Sequence, residues 1–305
     1  MDQSRRYRTG IDSADDAGGR HHTCRPRIGN SPKIEQMAVA MSTEIPECRA
    51  HIPPVLRPHA DAVPVTPGPD TSLLIGAVLR QAAWAAACQP STVQAFARGG
   101  VVRHMKRHAI VVRRGDPVRR LGIVLSGILQ AGVHACNGKR MTSAYMASGQ
   151  LFNLVPFLDG GMASKDFVAH TDLTVCWLNK SLVETAMSTD AELQRAFIQV
   201  LCARSRQCLS DRAGLLLLTL RQRCAEVLLM LAADYGIPRQ EGVSLTLRMS
   251  QAEFSDLVGW SRPKVNQELK RMEAESLIQI SYSHILILDM ARLRTDVAGE
   301  GGGPY

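Results

Sequence analysis

Ser250-Gln251-Ala252-Glu253-Phe254 opens a stretch, residues 250–287, whose reading decides the fold. Ser250 and Glu253 form a capping box: a hydroxyl N-cap followed three residues on by a carboxylate that can reach back to it. Phe254, Leu257 and Val258 recur at helical spacing, and Gly259-Trp260 breaks that helix. Ser261 is placed to cap a second helix, with Pro263 in its first turn, where a missing N–H costs nothing. In this second helix Val265, Leu269 and Met272 make an inward stripe. Arg262, Lys264, Asn266, Gln267, Lys270 and Arg271 are left outside. Residues 277–281 and 284–288 read as two strands joined by a tight turn at Tyr282-Ser283. Two capped helices and a hairpin in this order predict a winged helix-turn-helix, a shape suited to a DNA major groove. Arginine and lysine can fork onto guanine, asparagine and glutamine onto adenine. The competing reading is plain packing with a solvated basic face, and the compound signal favours DNA over it.

The chain has 305 residues, enough for two cores, with a net charge of +8 and 45% hydrophobic residues. The charge does not sit on the helix-turn-helix. Residues 220–305 hold ten Lys+Arg against eleven Asp+Glu, whereas residues 61–219 hold seventeen against ten. The case for DNA therefore rests on local charge in the second helix. Arg103, Lys106, Arg107, Arg113, Arg114, Arg119 and Arg120 form a separate basic cluster. It reads by default as a solvated surface, with a second DNA or RNA polymerase contact as the alternative. No apolar run reaches the roughly 20 residues of a membrane helix, and the polar N-terminus has no secretory h-region. The eight cysteines are scattered without a CxxC pair, which suits reduced thiols in a cytoplasm.

Residues 1–70 lack periodicity and read as a disordered arm, with Met37 and Met41 as alternative starts. Residues 72–98 read as a helix in two pieces, broken near Gln89-Pro90. From Val101 short apolar runs alternate with turn signals such as Gly115-Asp116-Pro117, Ser126-Gly127, Asn137-Gly138 and Gly160-Gly161, indicating a β-barrel or β-roll. Residues 191–218 form the longest helical pattern. A helix of that length cannot bury its whole face on one small β-domain, so Leu193, Phe197, Val200, Leu201, Cys208 and Leu215 are expected to pair with a second subunit. Packing within one chain is the alternative. The expected fold is α+β: an effector or sensor β-roll (71–187, jelly-roll-like), a dimerisation helix (188–219), a winged helix-turn-helix (220–295) and a flexible tail (296–305).

This order resembles the Crp/Fnr family of bacterial transcription factors. The most specific pieces are Arg114-Gly115-Asp116-Pro117 with Ile123 to Gly127, Leu158-Asp159-Gly160-Gly161, and residues 249–278. The resemblance implies a homodimer on a two-fold symmetric promoter site. It is incomplete where family members hold cyclic AMP. Their ribose-binding Gly-Glu aligns with Asn153-Leu154, their phosphate-binding Arg-Ser with Ser164-Lys165, and their purine-facing hydroxyls with Cys208-Leu209. Lys165 can restore charge but not a bidentate fork. Asn153, Ser164, Lys165 and Cys208 remain the candidate effector residues, and cyclic AMP is not the expected ligand. Cys24, Cys48 and Cys88 are too far apart for the family's iron–sulfur pattern. Haem is disfavoured because His104, His108, His134 and His170 are isolated, and isolated histidines are usually satisfied by hydrogen bonds. No cofactor or metal is expected.

The leading expectation is a dimeric, cytoplasmic DNA-binding regulator. Arg262, Pro263, Asn266, Gln267 and Lys270 face bases, while Ser250, Gln251, Ser261, Lys264 and Arg271 face phosphates. The rival is a ligand- or thiol-redox-sensing β-roll protein, with Cys136, Cys176 or Cys208 as the thiol, whose output is protein contact. An enzyme is disfavoured, since no phosphate-cradling glycine loop, HExxH or G-x-S-x-G occurs. Pro263 and Gln267 stand where the family usually carries Glu and Arg. Proline cannot accept from cytosine N4, and glutamine favours adenine. Selection from random DNA is expected to return half-sites richer in A·T than the family's usual one, and recovery of the usual half-site would refute this.

Overall fold

Two antiparallel sheets face each other and account for the middle of the chain. The computed structural model describes residues 64–65, 69–134 and 140–298. One sheet has the order β1 (Pro64–Val65), β2 (Val101–Met105), β9 (Leu173–Asn179), β4 (Arg120–Ser126), β7 (Leu151–Phe152). The other runs β3 (Ile110–Val112), β8 (Asp166–Ala169), β5 (Leu129–His134), β6 (Arg140–Met146). Val124, Leu129, Phe152, Phe167 and Val175 fill the space between them, which makes the expected β-roll. Gly122 lets the sheet close over Phe152, because a Cβ there would lie 2.1 Å from the ring. The Asn137-Gly138 turn and Cys136 lie outside the described residues, as do Met37, Met41, Cys24 and Cys48. The strands flanking the turn pair from His134 opposite Arg140.

Helices cover the outer side of the first sheet. α1 (Pro69–Gln81) and α2 (Pro90–Gly99) supply Ile75, Leu79 and Phe96 to a core that includes Leu121, Ile123, Leu178, Leu193 and Phe197. α1 already stops at Gln81, before a 3-10 turn (Ala83–Ala85), so the expected break comes early. α3 (Leu154–Asp159) and α4 (Lys180–Thr189) flank the roll. Asp190 then starts the long helix α5 (Ala191–Leu217). One Asp190 oxygen caps α5 by accepting from Glu192 N and Leu193 N (3.0 and 3.2 Å). The other accepts from Gln89 N and Thr92 Oγ1 (2.8 and 2.7 Å), tying α2 to the start of α5.

This packing corrects the first half of the expected dimer face, Leu193 to Leu201. Leu193 and Phe197 are 0% and 1% exposed within one protomer, and Val200 and Leu201 pack on the same core. The first turns of α5 are covered by α1, α2 and the roll, which the chain supplies itself. Leu215 turns toward its own Gly259. The strongly outward apolar side chains of α5 are Ile198, Leu209, Leu216 and Leu217, at 60%, 66%, 73% and 80% exposure, and Cys208 and Leu215 of the expected face also stay exposed.

α6 (Leu220–Tyr235) follows, with a capping box at Thr219 and Gln222. The hairpin β10 (Gly236–Arg239) and β11 (Gly242–Leu245) then joins β13 (His284–Ile287) and β12 (Ile278–Ser281) in one sheet. Between these lie α7 (Gln251–Val258) and α8 (Arg262–Ala274), and α9 (Met290–Ala298) ends the described chain. The expected boundaries shift at both ends. β1 and the start of α1 fall inside the supposed arm, and α9 carries residues 296–298 out of the supposed tail because Val297 packs on the core.

Arg221 holds this assembly together. It makes a bidentate pair with Glu275 (2.9 and 2.7 Å), donates Nε–H to Asp296 (3.0 Å), and lies 3.6 Å from Glu268. Glu275 first, and then Asp296, raise its pKa above the ordinary arginine value against the opposing effect of burial. Replacing Arg221 with Met removes the cation shared by three carboxylates where α6, α8 and α9 meet, leaving Glu268 to Arg271, Glu275 to Arg292 and Asp296 without its ion-pair partner. The expected loss is roughly 1–2 kcal/mol by urea denaturation, less than for a fully buried pair because Arg221 is partly open to water. An unchanged midpoint would remove Arg221 from this role.

Candidate nucleic-acid interface

The capping box at Ser250 is formed as the residue order predicts. Ser250 Oγ accepts from Glu253 N (3.2 Å), and Glu253 Oε2 accepts from Ser250 N (2.7 Å). Gly259 ends α7 in the left-handed region at φ 82°, with its N–H on Ser255 O (2.9 Å). Ser261 has extended dihedrals at the N-cap position of α8, but its side chain makes no cap hydrogen bond. That corrects the expected cap: Pro263 in the first turn removes one of the donors a cap would satisfy.

Val265, Leu269 and Met272 are buried against Phe254, Leu257 and Val258 of α7 and Cys224 and Leu228 of α6. That interlock turns Arg262, Pro263, Lys264, Gln267, Lys270 and Arg271 to solvent. Lys264 Nζ lies 5.7 Å from the Trp260 ring centroid, a cation–π contact that steadies the first turn of α8. Asn266 departs from expectation. It is half-buried and its Oδ1 is enclosed without a hydrogen-bond partner, because it follows buried Val265 by one residue and precedes buried Leu269 by three. Arg271 reaches back to Glu268 (3.3 Å) while remaining 61% exposed. Glu268 itself is buried between Arg221 and Arg271.

Ser250 and Gln251 are exposed at the N-terminus of α7, where backbone N–H groups favour an anion. The wing turn sits beside them. Tyr282 and Ser283 both have positive φ (42° and 68°), and Ser283 O accepts from Met249 N (3.1 Å). Tyr282 is fully exposed.

The structure brings together only some of the effector candidates. Lys165 is half-buried and donates to Ser143 Oγ (3.1 Å), close enough to Cys208, Arg204 and Asp211 of α5 to feel their charges. Burial lowers the pKa of Lys165 and of Arg204, whose guanidinium donates to the Leu151 carbonyl. Arg204 and Ser143 were not foreseen; Arg204 lies one helical turn before Cys208, a spacing that could have signalled it. Ser164 is exposed. Asn153 is buried in the left-handed region at φ 63° just before α3, its Oδ1 unpartnered. Among the described residues no group of three or more His, Cys, Asp or Glu side chains could hold a metal ion.

Comparison with known proteins matches this arrangement in two blocks. A cyclic nucleotide-binding domain matches residues 102–190, and a Crp-like helix-turn-helix domain matches residues 222–295. The chain is a Crp/Fnr-family regulator. The CRP-like cAMP-activated global transcriptional regulator of Mycobacterium tuberculosis is 25% identical over 205 residues, 67% of this chain and 92% of that protein. The global nitrogen regulator of Nostoc is 23% identical over 189 residues, 61% of this chain and 85% of its own length. The structure of FixK2 from Bradyrhizobium japonicum superposes with a TM-score of 0.57 at 18% identity, covering 64% of this chain and 96% of that one, which shows the shared fold. This Crp/Fnr regulator is therefore a DNA-binding transcription regulator built from an α+β fold with an N-terminal β-roll.

Its described thiols fall into two kinds. Burial pushes Cys88 up to about 11 and Cys176 and Cys224 up to about 12, whereas Cys202 and Cys208 are exposed. Iodoacetamide on the native chain near neutral pH is expected to alkylate Cys208 and spare Cys88, Cys176 and Cys224, as read by peptide mass mapping. Rapid labelling of Cys176 would contradict the packing of the roll.

Proposed function

We propose that this regulator binds promoter DNA as a homodimer, with α8 of each subunit in the major groove. The observation that supports the reading is the division of α8: Val265, Leu269 and Met272 are spent on the core, leaving Arg262, Lys264, Gln267 and Lys270 free at the surface. Arg262, Pro263, Gln267 and Lys270 face base edges. Asn266 joins them only if its carboxamide turns outward on binding. Ser250, Gln251, Ser261, Lys264 and Arg271 hold phosphates. Arg262→Ala and Gln267→Ala are each expected to cost roughly 1–3 kcal/mol at one base pair and relax specificity there. Lys264→Ala is expected to weaken all sequences alike and flatten the salt dependence. Unchanged binding of Arg262→Ala and Gln267→Ala to a selected site, measured by fluorescence anisotropy, would overturn the assignment.

The dimer seam follows from the outward face of α5. Ile198, Cys202, Ser205, Leu209, Arg212 and Leu216 recur in alternating four- and three-residue steps, the repeat of a two-stranded coiled coil. The aliphatic stem of Arg212 lets its charge reach the edge of such a seam. Leu209→Glu is expected to give a folded monomer by sedimentation, with Cys202 newly reactive to thiol reagents. A dimer that survives this change would place the contact elsewhere.

Lys165 and Arg204 favour a small effector with negative charge between the roll and α5. The ribose carboxylate and phosphate guanidinium of cyclic AMP binders are missing, so cyclic AMP is expected to leave the melting temperature unchanged. Neither an iron–sulfur cluster nor haem is part of this reading. RNA polymerase is the further partner, the output is transcription rather than catalysis, and the site of action is the cytoplasm. Among the described residues no helix is long and apolar enough to cross a membrane.

A further inference from the structure

The wing ends on an aromatic ring that the protein does not use for its own packing. Tyr282 and Ser283 join β12 to β13 as a two-residue turn, with Ser281 paired opposite His284. Both turn residues lie in the left-handed region, at φ 42° and 68°. Asn-Gly adopts such a turn without strain, whereas a bulky tyrosine at its first position is unfavourable for the backbone. Burial does not offset that cost. The Tyr282 ring is more open than any other large apolar or aromatic side chain among the described residues. Strain that packing does not offset is characteristic of positions with an outside contact to make.

The turn is held on two sides. Met249 N donates to Ser283 O (3.1 Å), which sets the tip beside the residue preceding the Ser250 cap of α7. On the edge strand β12, Ile280 N donates to Glu273 Oε1 of α8 (2.9 Å). Ile278, Ile285 and Ile287 root the hairpin in the core that also holds Val265, Leu269 and Met272. The turn therefore stands at a fixed place relative to both helices of the helix-turn-helix. Arg248, Ser250 and Gln251 are exposed next to it in the chain segment it grips. Residues 278–287 carry no Asp, Glu, Lys or Arg, so the wing neither repels a phosphate nor pairs with one as an ion. What its tip offers is a phenol, with an apolar ring face and one hydroxyl.

In a helix-turn-helix the first helix crosses the sugar–phosphate backbone while the second enters the major groove. A tip fixed beside the start of α7 lies against the strand that α7 crosses. We propose that Tyr282 is a further DNA contact of each subunit: its ring packs on a deoxyribose of that strand and its hydroxyl donates to the adjoining phosphate. This rests on the DNA reading above, with Ser250 and Gln251 on phosphate. The contact sets the protein's position on the duplex and carries no base code. It forms without an ion pair, so it adds affinity without steepening the salt dependence.

The test compares the full chain with Tyr282→Gly, Tyr282→Phe and Ser283→Gly. Each is titrated by anisotropy against a duplex recovered by site selection, and the same complexes are footprinted with hydroxyl radicals, which attack exposed deoxyribose. Tyr282→Gly is expected to bind roughly three- to tenfold more weakly per half-site, the worth of a hydrogen bond to a charged oxygen together with a ring contact. Its salt slope should match that of wild type, unlike that of Lys264→Ala. Tyr282→Phe keeps the ring and should recover part of the loss. Ser283→Gly relaxes the same turn with the ring in place and should bind as wild type does. At equal occupancy, Tyr282→Gly should expose a deoxyribose in each half-site that wild type and Ser283→Gly protect. Both glycine variants should melt close to wild type, because glycine suits the turn while loosening the unfolded chain. A Tyr282→Gly chain that binds and protects like wild type, or a Ser283→Gly chain weakened as much, would overturn the proposal. A wild-type chain that forms no saturable complex sinks the DNA reading and the proposal with it; a saturable wild-type complex indifferent to Tyr282 sinks only the tyrosine contact.

Discussion

Burial of Glu268 beside Arg221 fixes which way α8 faces. A carboxylate at 6% exposure is tolerated only where its charge is met: Arg271 of α8 meets one oxygen at 3.3 Å, and Arg221, fixed on α6 by Glu275 and Asp296, meets the other at 3.6 Å. Rolling α8 about its axis would carry Glu268 away from Arg221 and lift Val265, Leu269 and Met272 from the core together. The polar tips on the other side are thus held outward by an ionic constraint and an apolar one that agree. DNA-facing chemistry needs this, because side chains reading base edges must be set to within a fraction of an ångström by elements that do not yield.

Much of this was legible in the residue order. The capping box at Ser250, the stop at Gly259 and the Tyr282-Ser283 turn are local signals, each decided by a few adjacent residues. What failed to show was set by distance. Periodicity marks Leu193 and Phe197 as one face of a helix but cannot say that α1, α2 and the β-roll supply the cover; only the fold brings Ile75 and Phe96 there. Asn266 sits at the border between core and solvent, where a hundred degrees per residue leaves the outcome to its neighbours. Lys165 and Arg204 come from elements far apart in sequence, so their meeting had no local signature. α9 was hidden because its apolar residues are few and its polar ones resemble those of a tail, although Leu293 is fully buried.

The β-roll keeps the family's architecture while altering the groups that would hold a cyclic nucleotide. By the family resemblance, Leu154 and Ser164 stand where a ribose carboxylate and a phosphate-clamping guanidinium are usual, and Arg204 from α5 comes close to Lys165. The scaffold that brings α5 against the roll is thus retained with different chemistry at its centre. A fold fixes where a ligand would be felt, and the side chains there fix which ligand that is.

Gly259 joins two of these regions. Its left-handed backbone ends α7, and the missing Cβ makes room for Leu215 near the far end of α5, whose methyl would lie 2.5 Å from a side chain placed there. The long helix therefore rests against the elbow of the helix-turn-helix unit. Torque applied along that helix would arrive at the elbow through direct contact, and stiffness at a single bend would set how faithfully the two ends move together.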